Sequence, residues 1–181
     1  MKLKNNKGYV GIDASIAVLV LLIIVPTIAG LIYNVNKSNN LIDRKSEAIS
    51  IAVNTIETIK GIGVSSFNAD SFDETIIVTR LNNIYTEEIN SHLNSDEKTV
   101  TTETDGTKTI DGLILEKGEN TYTIKIQIQD YANTQAAQDR ENATGVEVKS
   151  ECVKQIKVIV GFRTGKQQKD IELNTVISEK E

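Results

Sequence analysis

Few side chains in this sequence could carry out a reaction, and most of those that could lack the partners they would need. The 181 residues include one histidine, His92, and one cysteine, Cys152. A lone cysteine closes no disulfide within the chain and reads as a small apolar residue in or beside a strand. One His and one Cys cannot supply the four ligands of a structural zinc site. A Ser-His-Asp or Cys-His set would have to use His92. Its setting, Asn90-Ser91-His92-Leu93-Asn94, reads instead as a helix end, where a cation suits the dipole. Asp105 and Asp111 offer the oxygens that calcium prefers, but that ion takes about six to eight of them, and no ligand loop of recognisable spacing surrounds either residue. Asn142-Ala143-Thr144 fits the glycosylation sequon, a pattern too common to carry an assignment. There is no phosphate-cradling glycine loop, no pair of carboxylates in an acid–base setting and no internal repeat. The expectation is a protein that is not an enzyme, with no catalytic residue, metal or cofactor.

Charge narrows the partners. The formal net charge is -5, with the two signs mixed along the chain. Nucleic-acid surfaces gather Lys and Arg on one face, so no nucleic-acid partner is expected. Hydrophobic residues make up 39% of the chain and aromatics only 4%, with no Trp. A core is therefore expected to consist mainly of Ile, Val and Leu.

Asp13 is the residue that its surroundings leave unexplained. It stands at the head of Ala14–Ile32, where Ser15 and Thr27 are the only polar side chains. As a helix this run is about 28 Å long, just enough for the roughly 30 Å hydrocarbon core of a bilayer. Lys2, Lys4 and Lys7 precede it, which places the N-terminus in the cytoplasm and everything after Tyr33 outside. A secretory signal peptide cut near Thr27-Ile28-Ala29 or a plain signal anchor would fit the hydrophobicity, but neither accounts for the acid. A carboxylate at the centre of a membrane helix costs about 2.5–3.5 kcal/mol on insertion scales, less near the interface. Asp13 either stays at the headgroup level, solvated or paired with Lys7, or it has a partner.

Lys7-Gly8-Tyr9, an acid at the fifth position after the glycine, and an unbroken apolar run together resemble the class III leader of type IV pilins and pseudopilins. The resemblance implies cleavage between Gly8 and Tyr9 by a prepilin peptidase, N-methylation of Tyr9, and pairing of Asp13 with the N-terminal amine of a neighbouring subunit. It departs from the usual pattern at Tyr9, where the family has Phe, and at Asp13, where it has Glu. Members of the family often carry a proline in this stretch, as Pro26 stands here. Proline removes a backbone hydrogen bond and kinks or locally melts a helix. Losing the leader removes three lysines and takes the side-chain charge from -5 to -8.

Beyond the apolar run, residues 34–60 read as the amphipathic half of the same helix. Ile42, Ile49 and Ile56 recur every seven residues, Ala52, Val53 and Ile59 fill out the stripe, and the helix ends at Gly61-Ile62-Gly63. Ser71-Phe72-Asp73-Glu74 has capping-box spacing and opens a second helix over 72–93, with Ile77, Leu81, Tyr85 and Ile89 on one face, although Ile76-Ile77-Val78 could also begin a strand. Residues 95–108 read as a loop. The period then changes to two. Leu113–Glu116 and Tyr122–Gln129 flank the turn Lys117-Gly118-Glu119-Asn120, and Ile156–Phe162 and Ile171–Thr175 flank Thr164-Gly165-Lys166. Tyr131–Lys149 reads as a long exposed loop. The expectation is an α+β fold in which the long N-terminal helix packs on a four-stranded antiparallel sheet, which is also the pilin architecture.

The whole pattern divides into a cleaved leader at 1–8, a transmembrane and filament-core helix at 9–33, and an extracellular domain at 34–181. The function it implies is a structural, minor subunit of a type IV pilus-like or type II secretion-like filament. The subunit would sit first in the cytoplasmic (inner) membrane and then in a cell-surface filament. Its partners would be the prepilin peptidase, the membrane and other pilin or pseudopilin subunits. An uncleaved, membrane-anchored extracellular binding module is the rival.

Overall fold

The computed structural model describes residues 7–67, 72–88, 90–145, 153–165 and 167–178; for residues 7–12 and 65 it describes the backbone alone. The chain divides into two compact units, Met1–Asp43 and Arg44–Glu181. One helix, α1 (Lys7–Ile62), contributes to both.

In the first unit α1 has no buried side chain among the described residues: Asp13 to Asn40 are all exposed. Leu22 and Ile23 are 65% and 68% accessible. Pro26 is accommodated inside the helix. Its missing N–H removes one bond of the ladder, and beside it the Thr27 hydroxyl donates to the Ile23 carbonyl at 2.7 Å.

The second unit is an α+β domain in which the Arg44–Ile62 half of α1 packs on an antiparallel sheet. Ala48, Ile51, Ala52, Thr55, Ile56 and Ile59 form the buried stripe, and Ile49 and Val53 are exposed. The seven-residue spacing of Ile42, Ile49 and Ile56 is therefore not the packing stripe. At about 100° per residue, Ile42 and Ile49 stand roughly a third of a turn around the helix from Ala48, on its flank. The face that meets the sheet follows i, i+3, i+4 steps from Ala48. Thr55 can lie in this stripe because its hydroxyl donates to the Ile51 carbonyl at 2.8 Å. α1 ends at Ile62, followed by Gly63 in the left-handed region at φ 92°, and Arg80 donates to the Gly61 carbonyl at 3.3 Å.

A short 3-10 turn (Val64–Phe67) leads toward α2 (Glu74–Glu87). Asp73 is its N-cap, accepting from the Thr75 N–H at 2.9 Å; Ser71 of the expected capping box lies outside the described residues. Ile77, Leu81 and Tyr85 are buried as their spacing requires, and Ile89 also lies outside the described residues. The helix is shorter than the expected 72–93, because Ser91–Asn94 form strand β1 and carry His92 into the sheet.

The sheet has six strands where the sequence suggested four. β1 and β2 (Thr99–Thr102) both pair with β3 (Lys108–Lys117), and the order continues through β4 (Asn120–Asp130) and β5 (Val153–Thr164) to β6 (Gln167–Ser178). The two additional strands have four residues each, and β2 is exposed throughout, so neither shows the apolar alternation that marks a half-buried strand. β3 bulges between Ile110 and Leu113. Gly112 makes the bulge possible: its φ is +79°, and a Cβ there would lie 2.5 Å from the Glu97 carbonyl oxygen. The hairpin β3–β4 closes through Lys117 and Asn120, and β5–β6 through Thr164 and Gln167, both at the expected turns. Ile110, Leu115, Tyr122, Ile124, Ile126, Ile156, Val158, Val160 and Phe162 form the helix-facing layer and are all buried.

The expected loop over Tyr131–Lys149 is ordered at its start. A 3-10 turn (Tyr131–Asn133) precedes α3 (Gln135–Thr144), capped by Thr134 and ended by Gly145 at φ 67°. α3 buries only Ala137 and is otherwise polar, so it has no stripe to read in the sequence. Residues 146–149 and Cys152 lie outside the described residues.

Candidate functional site

The first unit is the candidate site, and it is a surface. The backbone of Lys7–Ile12 is helical and continuous with the rest of α1, so Gly8 and Tyr9 belong to the same helix as Asp13. Their side-chain surroundings lie outside the described residues. Asp13 is exposed at the head of a cylinder of exposed apolar side chains that includes Ile16, Leu19, Leu22, Ile23, Val25, Ile28 and Leu31. This helix is long and apolar enough to cross a membrane, and the most apolar part of it is not buried within the chain. Soluble monomers rarely expose contiguous apolar patches beyond a few hundred Å2. The chemistry of this surface is apolar burial together with one carboxylate at the basic end.

The second unit holds its half of α1 against the sheet by polar contacts that spacing alone did not reveal. Glu47 accepts a hydrogen bond from the Tyr122 hydroxyl and lies 3.7 Å from the Lys117 ammonium, which pairs with Glu88 at 2.7 Å. Burial and the neighbouring Glu47 carboxylate both raise the Tyr122 hydroxyl above its ordinary range. Arg44, one turn earlier on α1, donates to the Arg163 carbonyl at the end of β5. In the sequence Glu47 and Arg44 look like members of a solvated helix face. The sequence shows only that Tyr122, alternating with isoleucines, must bring its hydroxyl to some partner; it does not point to Glu47. Tyr85 is fully buried beneath α1, its hydroxyl reaching the Ile51 carbonyl at 3.5 Å, and burial pushes it up to about 12. Lys154 is 5% exposed and bonds to Asp130 on the neighbouring strand, satisfying a charge that would otherwise be buried alone.

The calcium candidates, Asp105 in the turn between β2 and β3 and Asp111 on β3, both accept from protein donors. Asp105 accepts from the Thr107 N–H at 2.9 Å, which holds its carboxyl below the usual range. Asp111 accepts from the Gly112 N–H at 2.8 Å and pairs with Lys125 at 2.9 Å. Burial works against its charge, but these donors outweigh that and leave the carboxyl lowered. Among the described residues no three His, Cys, Asp or Glu side chains gather as a metal site. His92 is exposed on β1, and Asn142 of the sequon is exposed on the last turn of α3.

Comparison with protein-family models, curated proteins and solved structures finds no match to this chain.

Proposed function

We propose that this chain is a minor structural subunit of a type IV pilus-like or type II secretion-like filament. The observation that carries the proposal is Asp13, standing five residues after Gly8 at the head of an apolar helix half that no other described residue covers. Prepilin peptidase cuts between Gly8 and Tyr9 and methylates Tyr9. The subunit waits in the cytoplasmic membrane, N-terminus inside and domain outside. Asp13 then pairs with the new amine of a neighbouring subunit, so that two charges leave the headgroup region as a pair rather than singly. Assembly exchanges lipid for neighbouring apolar helices around the same surface. A long helix laid across an antiparallel sheet agrees with the architecture the leader implies.

The rival, an uncut and monomeric membrane-anchored binding module, uses the same anchor but gives Asp13 no partner. N-terminal sequencing of the protein from its native membrane separates the two. A start at Tyr9, with its amine methylated, is the expected result. An intact Met1, or a start at Gly30, would remove the filament reading.

A further inference from the structure

The two edges of the sheet are finished differently. On one side β3 is flanked by β1 and β2, four residues each and separated by Ser95–Lys98. Short, interrupted strands are a common way of protecting an edge from further pairing. On the other side β6 runs for 12 residues without a proline and, among the described residues, pairs only with β5. In an antiparallel ladder every second residue turns its N–H and C=O away from the partner. Because Thr164 faces Gln167 across the hairpin, Asp170, Glu172, Asn174 and Val176 are the residues that present free backbone groups.

The side chains of this edge describe what would fit it. On the helix side Ile171, Leu173 and Thr175 continue the core layer but are only half-buried, whereas Val160, Val158 and Ile156 opposite them are buried completely. On the other side Asp170 and Glu172 are exposed and acidic. Lys157 sits beside Glu172 at 2.9 Å; Asp170 has no ion-pair partner among the described residues. A further strand with apolar residues at alternate positions would complete the layer over Ile171 and Leu173. Basic residues at the intervening positions would meet the carboxylates.

We propose that the outer edge of β6 is a docking site for an extended segment of a partner protein, added as a seventh strand, with apolar and basic residues in alternation. Main-chain hydrogen bonds supply the affinity, and the alternation supplies the selectivity. A second copy of this chain is a poorer occupant, because the chain carries a net charge of -5 and brings the same acids to the contact. The site does not depend on leader cleavage or on filament assembly.

The test uses the full chain in phosphatidylcholine nanodiscs, whose zwitterionic surface does not attract a basic peptide. The probe is a labelled, end-blocked peptide of about ten residues alternating Val and Lys. Two controls are a peptide of the same composition with its valines and lysines in separate blocks, and one with Glu in place of Lys. The alternating peptide is expected to bind saturably, and both controls at least about tenfold more weakly. Asn174→Pro removes an outward N–H and leaves the β5 ladder intact, and is expected to weaken binding at least about tenfold. Asp170→Lys, which needs no backbone adjustment, is expected to weaken it as well. Equal binding by Asn174→Pro of unchanged melting temperature, or by the block peptide, overturns the proposal. If Asn174→Pro misfolds, unchanged binding by Asp170→Lys overturns it. Dimerisation of the unliganded chain that Asp170→Lys abolishes would assign the edge to a second copy instead.

Discussion

Both halves of α1 carry Ile, Val and Ala, yet one is exposed all round and the other buries a stripe. From Asp13 to Asn40 no described side chain is buried. From Ala48 to Ile59 the helix inserts Ile51, Ala52, Thr55 and Ile59 into the domain and exposes Ile49, Val53 and Glu57 between them. The difference lies in what alternates with the apolar residues. The second half interleaves them with charges and amides, so only one face can leave water and one sheet suffices to cover it. The first half has no polar face, so no single neighbour within the chain could cover it. A helix apolar on every side has to be solvated by something other than water.

The contrast is broken most directly by cutting side chains in each half. Ile51→Ala opens a cavity between helix and sheet and is expected to cost about 2–5 kcal/mol of domain stability, read by denaturant unfolding of the micelle-bound chain. Leu21→Ala, on the exposed half, is expected to leave the same transition within about 0.5 kcal/mol. A loss at Leu21 comparable to that at Ile51 would mean that the two halves are not energetically separate.

The polar fastening of the second half gives a smaller effect. Tyr122→Phe removes the bond to Glu47 and is expected to cost about 1–3 kcal/mol. The domain should also lose stability at alkaline pH. The folded-state hydroxyl of Tyr85 stands at about 12 against an ordinary 10.0, and Tyr122 is shifted in the same direction. Between those values the unfolded chain gives up protons that the native state keeps. The stability these tyrosines contribute is therefore complete below about pH 10 and declines as pH rises toward 12 and beyond. Tyr85→Phe should flatten that decline in a pH series of unfolding midpoints; an unchanged slope would place the loss elsewhere.

On the proposed filament reading, the first half should show its own effect in assembly. Asp13→Ala is expected to leave leader removal intact and to lower incorporation into filaments at least about tenfold, the factor that ~1.4 kcal/mol of lost pairing gives. Immunoblots of sheared filaments against membrane fractions read it directly. Normal incorporation would leave Asp13 as a solvated residue at the membrane surface.

What could be read from the sequence followed the same division between periodic and non-periodic segments. α1, the core of α2 and strands β3 to β6 announce themselves because burial on one face forces a repeat: Ile77-Leu81-Tyr85 at helical steps, Tyr122-Ile124-Ile126-Ile128 at every second place. β1, β2 and α3 bury almost nothing, so their residues are free to be polar in any order. Ile49 and Val53 misled because, at about 100° per residue, they stand on the flank of the helix and not on the face that Ala48, Ile51, Ala52 and Ile59 form. The exposed apolar half was legible in its composition. The fastening of Glu47 to Tyr122 and Lys117 was not, because it joins residues far apart in the chain that meet only when the sheet has formed.

Pro26 gives the finest separation of the two halves. It removes one hydrogen bond from the exposed half, and the Thr27 hydroxyl already holds the neighbouring Ile23 carbonyl. Pro26→Ala restores an N–H able to reach the Leu22 carbonyl, which should slow amide exchange around residues 22–27 in micelles. The domain lies beyond the reach of that bond, so its unfolding midpoint should not move. On the proposed filament reading, a stiffer helix would also melt less readily when it packs. Slower exchange with unimpaired incorporation would therefore show that Pro26 is tolerated in the membrane without being needed for assembly.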